Sequence, residues 1–132
     1  MNVLIDTSVW VDYFRTGEKT KCLDFLIDEN LISTNNLILA ELIPFLKIKN
    51  EKSLIELLEQ MRNFEIHIDW SGIIDLQTIC LKNGMNGVGI PDLIIAQNAI
   101  QHKMPIYSLD THFKKMASKI HLKVFDEQAI LF

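Results

Sequence analysis

Asn2-Val3-Leu4-Ile5-Asp6-Thr7-Ser8-Val9-Trp10-Val11-Asp12-Tyr13 is the stretch that decides the fold. Its Val3-Leu4-Ile5 segment is an unbroken apolar run. The run is too short for a helix and does not alternate, so both of its faces need cover. That is the mark of a central strand in a parallel sheet with helices on either side. The run stops at a carboxylate, followed by two hydroxyls and an amphipathic segment bearing Val9, Trp10 and Tyr13. Ligands in open α/β sheets bind just beyond the carboxyl ends of the strands, where Asp6 stands. The same residue types also cap helices, and taken alone Asp6 reads as a cap. A larger role requires other carboxylates at the same edge.

Outward from this strand the elements alternate. Thr16-Gly17 breaks the first helix, and Glu18 to Glu29 reads as a second, with Cys22, Phe25 and Leu26 at helical spacing. Leu31 to Thr34 is a β candidate, and Asn35-Asn36 caps the segment Leu37 to Lys47. That segment is apolar almost all round, which predicts a buried helix kinked at Pro44. Asn50 to Arg62 reads as a helix, Phe64 to Asp69 as a third strand, and Ser71 to Asn83 as a helix. Gly84 to Gly89 lacks the Lys-Ser/Thr ending of a phosphate loop and reads as a connector. Pro91 suits a first helical position, with Asp92 just inside, and Leu93 to Ile100 continues as a buried helix. Pro105 to Leu109 is a strand ending in Asp110; Thr111 to Lys119 is a helix and Leu122 to Phe125 a last strand. The expected architecture is a three-layer α/β/α sandwich on a central parallel sheet with right-handed connections, one domain over residues 1–132.

At 132 residues, 48% hydrophobic and 23% charged, the composition is that of a globular chain. Charged residues and proline interrupt every apolar run before it reaches membrane-spanning length, and Asp6 breaks the N-terminal run too early for a signal peptide. Cys22 and Cys80 lie far apart among apolar residues, without ligand spacing, which predicts free buried thiols in a reducing cytoplasm.

Asp6 and Asp110 end two strands at one edge of the sheet, and Asp92 opens the helix leading into the second of them. Each has an alternative role at a helix N-terminus. Glu41 has none: it is the single acid of its helix, and a buried acid is costly unless it is paired or binds metal. Four convergent carboxylates with no cysteine or histidine ligand set describe a hard-cation site, for Mg²⁺ or Mn²⁺, of the kind that activates water beside a phosphodiester. His67, His102, His112 and His121 show no paired spacing; His112 falls at the rim of the site or on a helix surface. Neither Ser8 nor Ser108 has a base supplied by sequence, which argues against a serine nucleophile.

Val3 to Trp10, Leu39-Ala40-Glu41-Leu42, Ile90 to Ala96 and Tyr107 to Phe113 together resemble the four motifs of PIN domains, and more narrowly those of VapC-type toxins of toxin–antitoxin pairs. The resemblance spans nearly the whole chain, in order. It implies a Mg²⁺- or Mn²⁺-dependent endoribonuclease, usually a homodimer, held inactive by a cognate antitoxin protein. It carries metal-ligand roles onto Asp6, Glu41, Asp92 and Asp110, and a supporting hydroxyl onto Ser8.

The net charge of -4 argues against an RNA substrate only on average. Setting aside the four site acids leaves 13 acidic residues against 13 Lys and Arg. Lys103, Lys114, Lys115, Lys119 and Lys123 cluster around Asp110, a footing for an RNA backbone or simply a solvated face. A receiver domain would want adjacent acids after the first strand, and an aspartyl phosphatase Asp-x-Asp; Thr7 and Ser8 fit neither. The stronger rival is a PIN-like module that binds RNA or protein without cutting it.

Overall fold

The structure, a computed structural model, describes residues 1–127. The first strand, β1 (Val3–Ile5), is buried on both faces. Leu4 joins one apolar cluster while Val3 and Ile5 join the other, so alternation along three residues feeds two cores. β1 pairs in parallel with β2 (Ile32–Thr34) on one side and β4 (Ile106–Tyr107) on the other. β3 (Arg62–Asn63) lies beyond β2, giving the order β3-β2-β1-β4. The chain therefore starts in the middle, builds outward, and returns to the opposite side of β1. That reversal opens a crevice between the carboxyl ends of β1 and β4, the topological switch point.

Helices cover both faces. Those after β1 are α1 (Thr7–Arg15) and α2 (Leu23–Asp28); those after β2 are α3 (Asn36–Ile48) and α4 (Lys52–Gln60). α5 (Trp70–Lys82) and α6 (Ile90–Gln101) return the chain to β4, and α7 (Thr111–Ala117) follows it. This is the α/β/α sandwich expected from the sequence. Cys22 and Cys80 are free and buried, and no described helix is long and apolar enough to cross a membrane.

Several local expectations are corrected. The second helix begins at Leu23, not Glu18. Gly17 adopts φ +68, and the Asp12 carboxylate accepts from the Lys19 N–H at 3.1 Å and the Thr20 hydroxyl at 2.9 Å, which holds the preceding residues in a turn. The third strand is Arg62–Asn63 rather than Phe64 to Asp69. Side chains of α6 claim the backbone of that stretch: Asn98 donates to the carbonyls of Phe64 and Glu65, and Gln97 exchanges two hydrogen bonds with Asp69. α4 is shorter than Asn50 to Arg62, and Pro91 is the second residue of α6 rather than its first. Leu122 to Phe125 contributes a single bridge, Val124 to Ile106, instead of a full strand.

α3 runs unbroken through Pro44 but is not buried all round. Its buried stripe is Ile38, Leu42 and Leu46, at intervals of one helical turn. Glu41, one step from that stripe, belongs to the exposed side, so the sequence-based premise of a deeply buried acid is wrong.

Candidate active site

Asp6 follows β1 directly and is only 7% exposed. It stands at the N-cap of α1, yet its side chain makes no capping bond, so the capping reading fails. Its Oδ2 instead accepts two hydroxyl hydrogen bonds, from Ser8 and from Ser108, each at 2.8 Å. Each hydroxyl accepts in turn, Ser8 from the Leu109 N–H at 3.0 Å and Ser108 from the Asp110 N–H at 2.9 Å. Both hydroxyl hydrogens being committed to Asp6, the 3.2 Å approach of the two serines is a contact without a shared proton. The network ties the ends of β1 and β4 together across the crevice.

Asp110 caps α7, its Oδ1 accepting from the His112 N–H at 2.9 Å. The imidazole then folds back, placing His112 Nδ1 3.4 Å from Asp110 Oδ1 and 3.4 Å from Asp92 Oδ2. Asp92 lies in the first turn of α6, whose cap, Gly89, offers no side chain. Asp92, Asp110 and His112 each offer a ligand atom within 4.8 Å of the others. His112 thus faces the carboxylates rather than a helix surface, and the available donor set includes a nitrogen that spacing alone did not assign.

Glu41 reaches the same region from α3, its Oε1 accepting from the Thr7 hydroxyl at 3.1 Å. Partial burial of the carboxyl raises its pKa above the usual range; the Thr7 bond partly offsets this, and the charges of Asp6 and Asp92 push it further up. Asp92 is also raised, first by burial and then by the charges of Asp110 and Asp6, against a lowering contribution from His112. Asp6 acts on both Glu41 and Asp92, Asp92 on Glu41 and Asp110 on Asp92, so the four carboxylates lie within one another's reach. The position of α3 against α6 is set by Asn35, which caps α3 at the Ile38 N–H (2.9 Å) and donates to Asn98 Oδ1 at 3.0 Å.

Residues 3–119 match the PIN domain family. The chain belongs to that family. No curated protein matches this PIN domain. Among solved structures it is similar to VapBC2 from Rickettsia felis bound to a promoter DNA fragment, with a TM-score of 0.74 and 20% identity over 95% of this chain and 98% of that one. It is similar to FitAcB from Neisseria gonorrhoeae at a TM-score of 0.68 and 23% identity, covering 94% and 96% of the two chains. VapC20 from Mycobacterium tuberculosis, a Sarcin-Ricin loop cleaving toxin, aligns at a TM-score of 0.61 and 14% identity over 92% and 98%.

Two residues of this PIN domain's crevice were not singled out by sequence reasoning as partners of the carboxylates. Ser108 mirrors Ser8, since Asp6-x-Ser8 and Ser108-x-Asp110 are the same pairing in reverse order. His112 had only its spacing from Asp110 to recommend it.

The donor chemistry suits a divalent cation. Burial first, and then the charges of neighbouring carboxylates, raise the proton affinity of Glu41 and Asp92, and a bound cation would relieve both. Oxygen donors suit Mg²⁺ or Mn²⁺, and the imidazole favours the transition ion.

Proposed function

We propose that residues 1–132 form one nuclease domain, a metal-dependent endoribonuclease that is the toxin of a toxin–antitoxin pair. What supports it most is the convergence of acids at the switch point of the sheet: Asp6 held by Ser8 and Ser108, Asp92 and Asp110 each 3.4 Å from His112 Nδ1, and Glu41 reaching Thr7 from α3. In this reading Asp6, Glu41, Asp92 and Asp110 hold Mg²⁺ or Mn²⁺. Ser8, with Ser108, fixes the Asp6 carboxylate, and His112 keeps Asp92 and Asp110 together. A cation bound there would supply Lewis acidity to water and neutralise charge building on the scissile phosphodiester. Similarity to VapBC and FitAcB structures supports the toxin assignment. The buried free thiols suit a reducing cytoplasm.

Two surfaces support the protein partners. A cavity of about 340 Å³ between α1, α3 and α4 has an apolar floor of Val11, Phe14, Phe45, Leu46 and Leu54 and a charged rim of Arg15, Lys49 and Glu51, and fits an amphipathic segment of a cognate antitoxin. Phe45 is 40% exposed there, whereas Trp10 is fully buried and stacked against Phe14. Trp70, Ile74 and Leu81, exposed at 59%, 64% and 53%, lie along α5 at helical spacing and fit a homodimer seam.

The purified chain, freed of any partner, is expected to cut single-stranded RNA with Mg²⁺ or Mn²⁺ and to stop on chelation. Cleavage persisting in excess EDTA would refute the metal mechanism. RNA binding with no cleavage under any divalent ion would favour a non-catalytic PIN module.

A further inference from the structure

The loop at residues 83–88, α7 and the two residues after it line an open cavity of about 490 Å³ beside the carboxylates. Asn83, Met85, Asn86, His112, Lys115 and Lys119 contribute to its wall, and no carboxylate is among the described residues that line it. His112 is the partition between the two spaces. Its Nδ1 faces Asp92 and Asp110, while a Cβ built at Gly87 would lie 3.4 Å from its Nε2. A polyanion cannot be held by the carboxylate crevice alone, because that crevice repels it. Lysines on the next wall supply the attraction the crevice lacks.

We propose that this cavity is a nucleotide subsite for the RNA residue adjoining the scissile phosphodiester, an inference that rests on the nuclease reading above. The backbone phosphate of that nucleotide meets Lys115 and Lys119. Its base lies against Met85, with the amides of Asn83 and Asn86 available to its polar edge. A side chain at Gly87 would project at His112 and take up space in the cavity. Its φ is not in the left-handed region, so a substitution tests that space rather than backbone strain.

The test measures binding of a fluorescein-labelled single-stranded oligouridylate in EDTA across a range of salt. It compares the wild type, the double variant Lys115→Ala/Lys119→Ala, the variant Gly87→Leu, and Lys52→Ala on α4 as a lysine control outside the cavity. Each phosphate contact on a single strand contributes about 0.7 to the slope of log affinity against log salt, so the double variant should lose about 1.4. Gly87→Leu should weaken binding while keeping the slope, and Lys52→Ala should change neither. In a parallel cleavage assay with Mn²⁺ the double variant should raise KM with kcat near wild type. If the double variant keeps the wild-type slope and affinity while the wild type cuts RNA, the subsite is refuted and the nuclease reading stands. If the wild type shows the lysine-dependent slope but never cuts, the nuclease reading fails and the nucleotide site survives as a binding site. A wild type with no salt-dependent RNA binding overturns the subsite.

Discussion

Ser108 Oγ donates to Asp6 Oδ2 at 2.8 Å, joining two residues 102 positions apart. The bond spans the switch point, and Ser108 also accepts the Asp110 N–H at 2.9 Å, so one hydroxyl couples two of the four acids. Ser108→Ala removes a bond to a charged group and leaves the Asp110 amide unsatisfied. A loss of about 1.5 kcal/mol in urea unfolding is expected. Ser108→Thr, which keeps the hydroxyl, should recover most of it. An alanine variant as stable as the wild type would show that the hydroxyl does not hold the two strand ends together.

Glu41→Gln separates charge repulsion from structure. The folded-state pKa of Glu41 is raised, so this group favours folding most below its unfolded value of about 4.3 and loses that contribution as pH rises through the folded value. In EDTA at neutral pH the glutamine variant should therefore melt above the wild type, and the gap should close on acidification. Adding Mn²⁺ should raise the wild-type melting temperature and leave the variant nearly unmoved. A variant that melts below the wild type in EDTA at neutral pH would mark Glu41 as a structural acid.

His112→Ala tests the nitrogen donor. Imidazole suits transition ions better than Mg²⁺. The variant should lose more of the Mn²⁺-induced rise in melting temperature than of the Mg²⁺-induced rise. Equal losses for both ions would mean that His112 positions the carboxylates without touching the cation.

Tyr13 reports on the docking of α1 against α2. Its hydroxyl donates to Asp24 Oδ1 at 2.6 Å, and this bond, with burial and the charges of Asp24 and Asp28, pushes its pKa up to about 12. Tyr13 thus favours folding fully below about pH 10 and loses that contribution as pH rises through 12. Tyr107, the other tyrosine, is raised by burial first, and it also contacts Cys22 and Glu127. In Tyr107→Phe, tyrosinate absorbance should appear near pH 12, and adding Asp24→Asn should bring it back towards 10. An unchanged titration would remove the Tyr13–Asp24 bond from the fold.

The strands at the heart of the sheet were legible because Val3-Leu4-Ile5 is apolar on consecutive residues, a pattern that only cover on both faces explains. Asp6, Glu41, Asp92 and Asp110 were legible as a set because each ends a strand or sits in an otherwise apolar helix. What stayed hidden was decided by side chains reaching across the fold. Phe64 to Asp69 alternates as a strand would, but Gln97 and Asn98 hydrogen-bond to its backbone. The Asp12 carboxylate shortens α2 from another helix. Glu41 looked buried because its helix is uniformly apolar, a pattern that gives no direction to the face turned outward. His112 became visible only when the turn after Asp110 aimed its ring at Asp92.

In the proposed mechanism Asp6, Glu41, Asp92 and Asp110 form one cation site that drives RNA cleavage. The most direct measurement is a calorimetric Mn²⁺ titration of wild type and Asp92→Asn, with RNA cleavage followed on the same samples. Saturable Mn²⁺ binding and cleavage are expected in the wild type, with binding at least about tenfold weaker and cleavage abolished in the variant. Equal Mn²⁺ binding by the two proteins, or cleavage retained by Asp92→Asn, would contradict it.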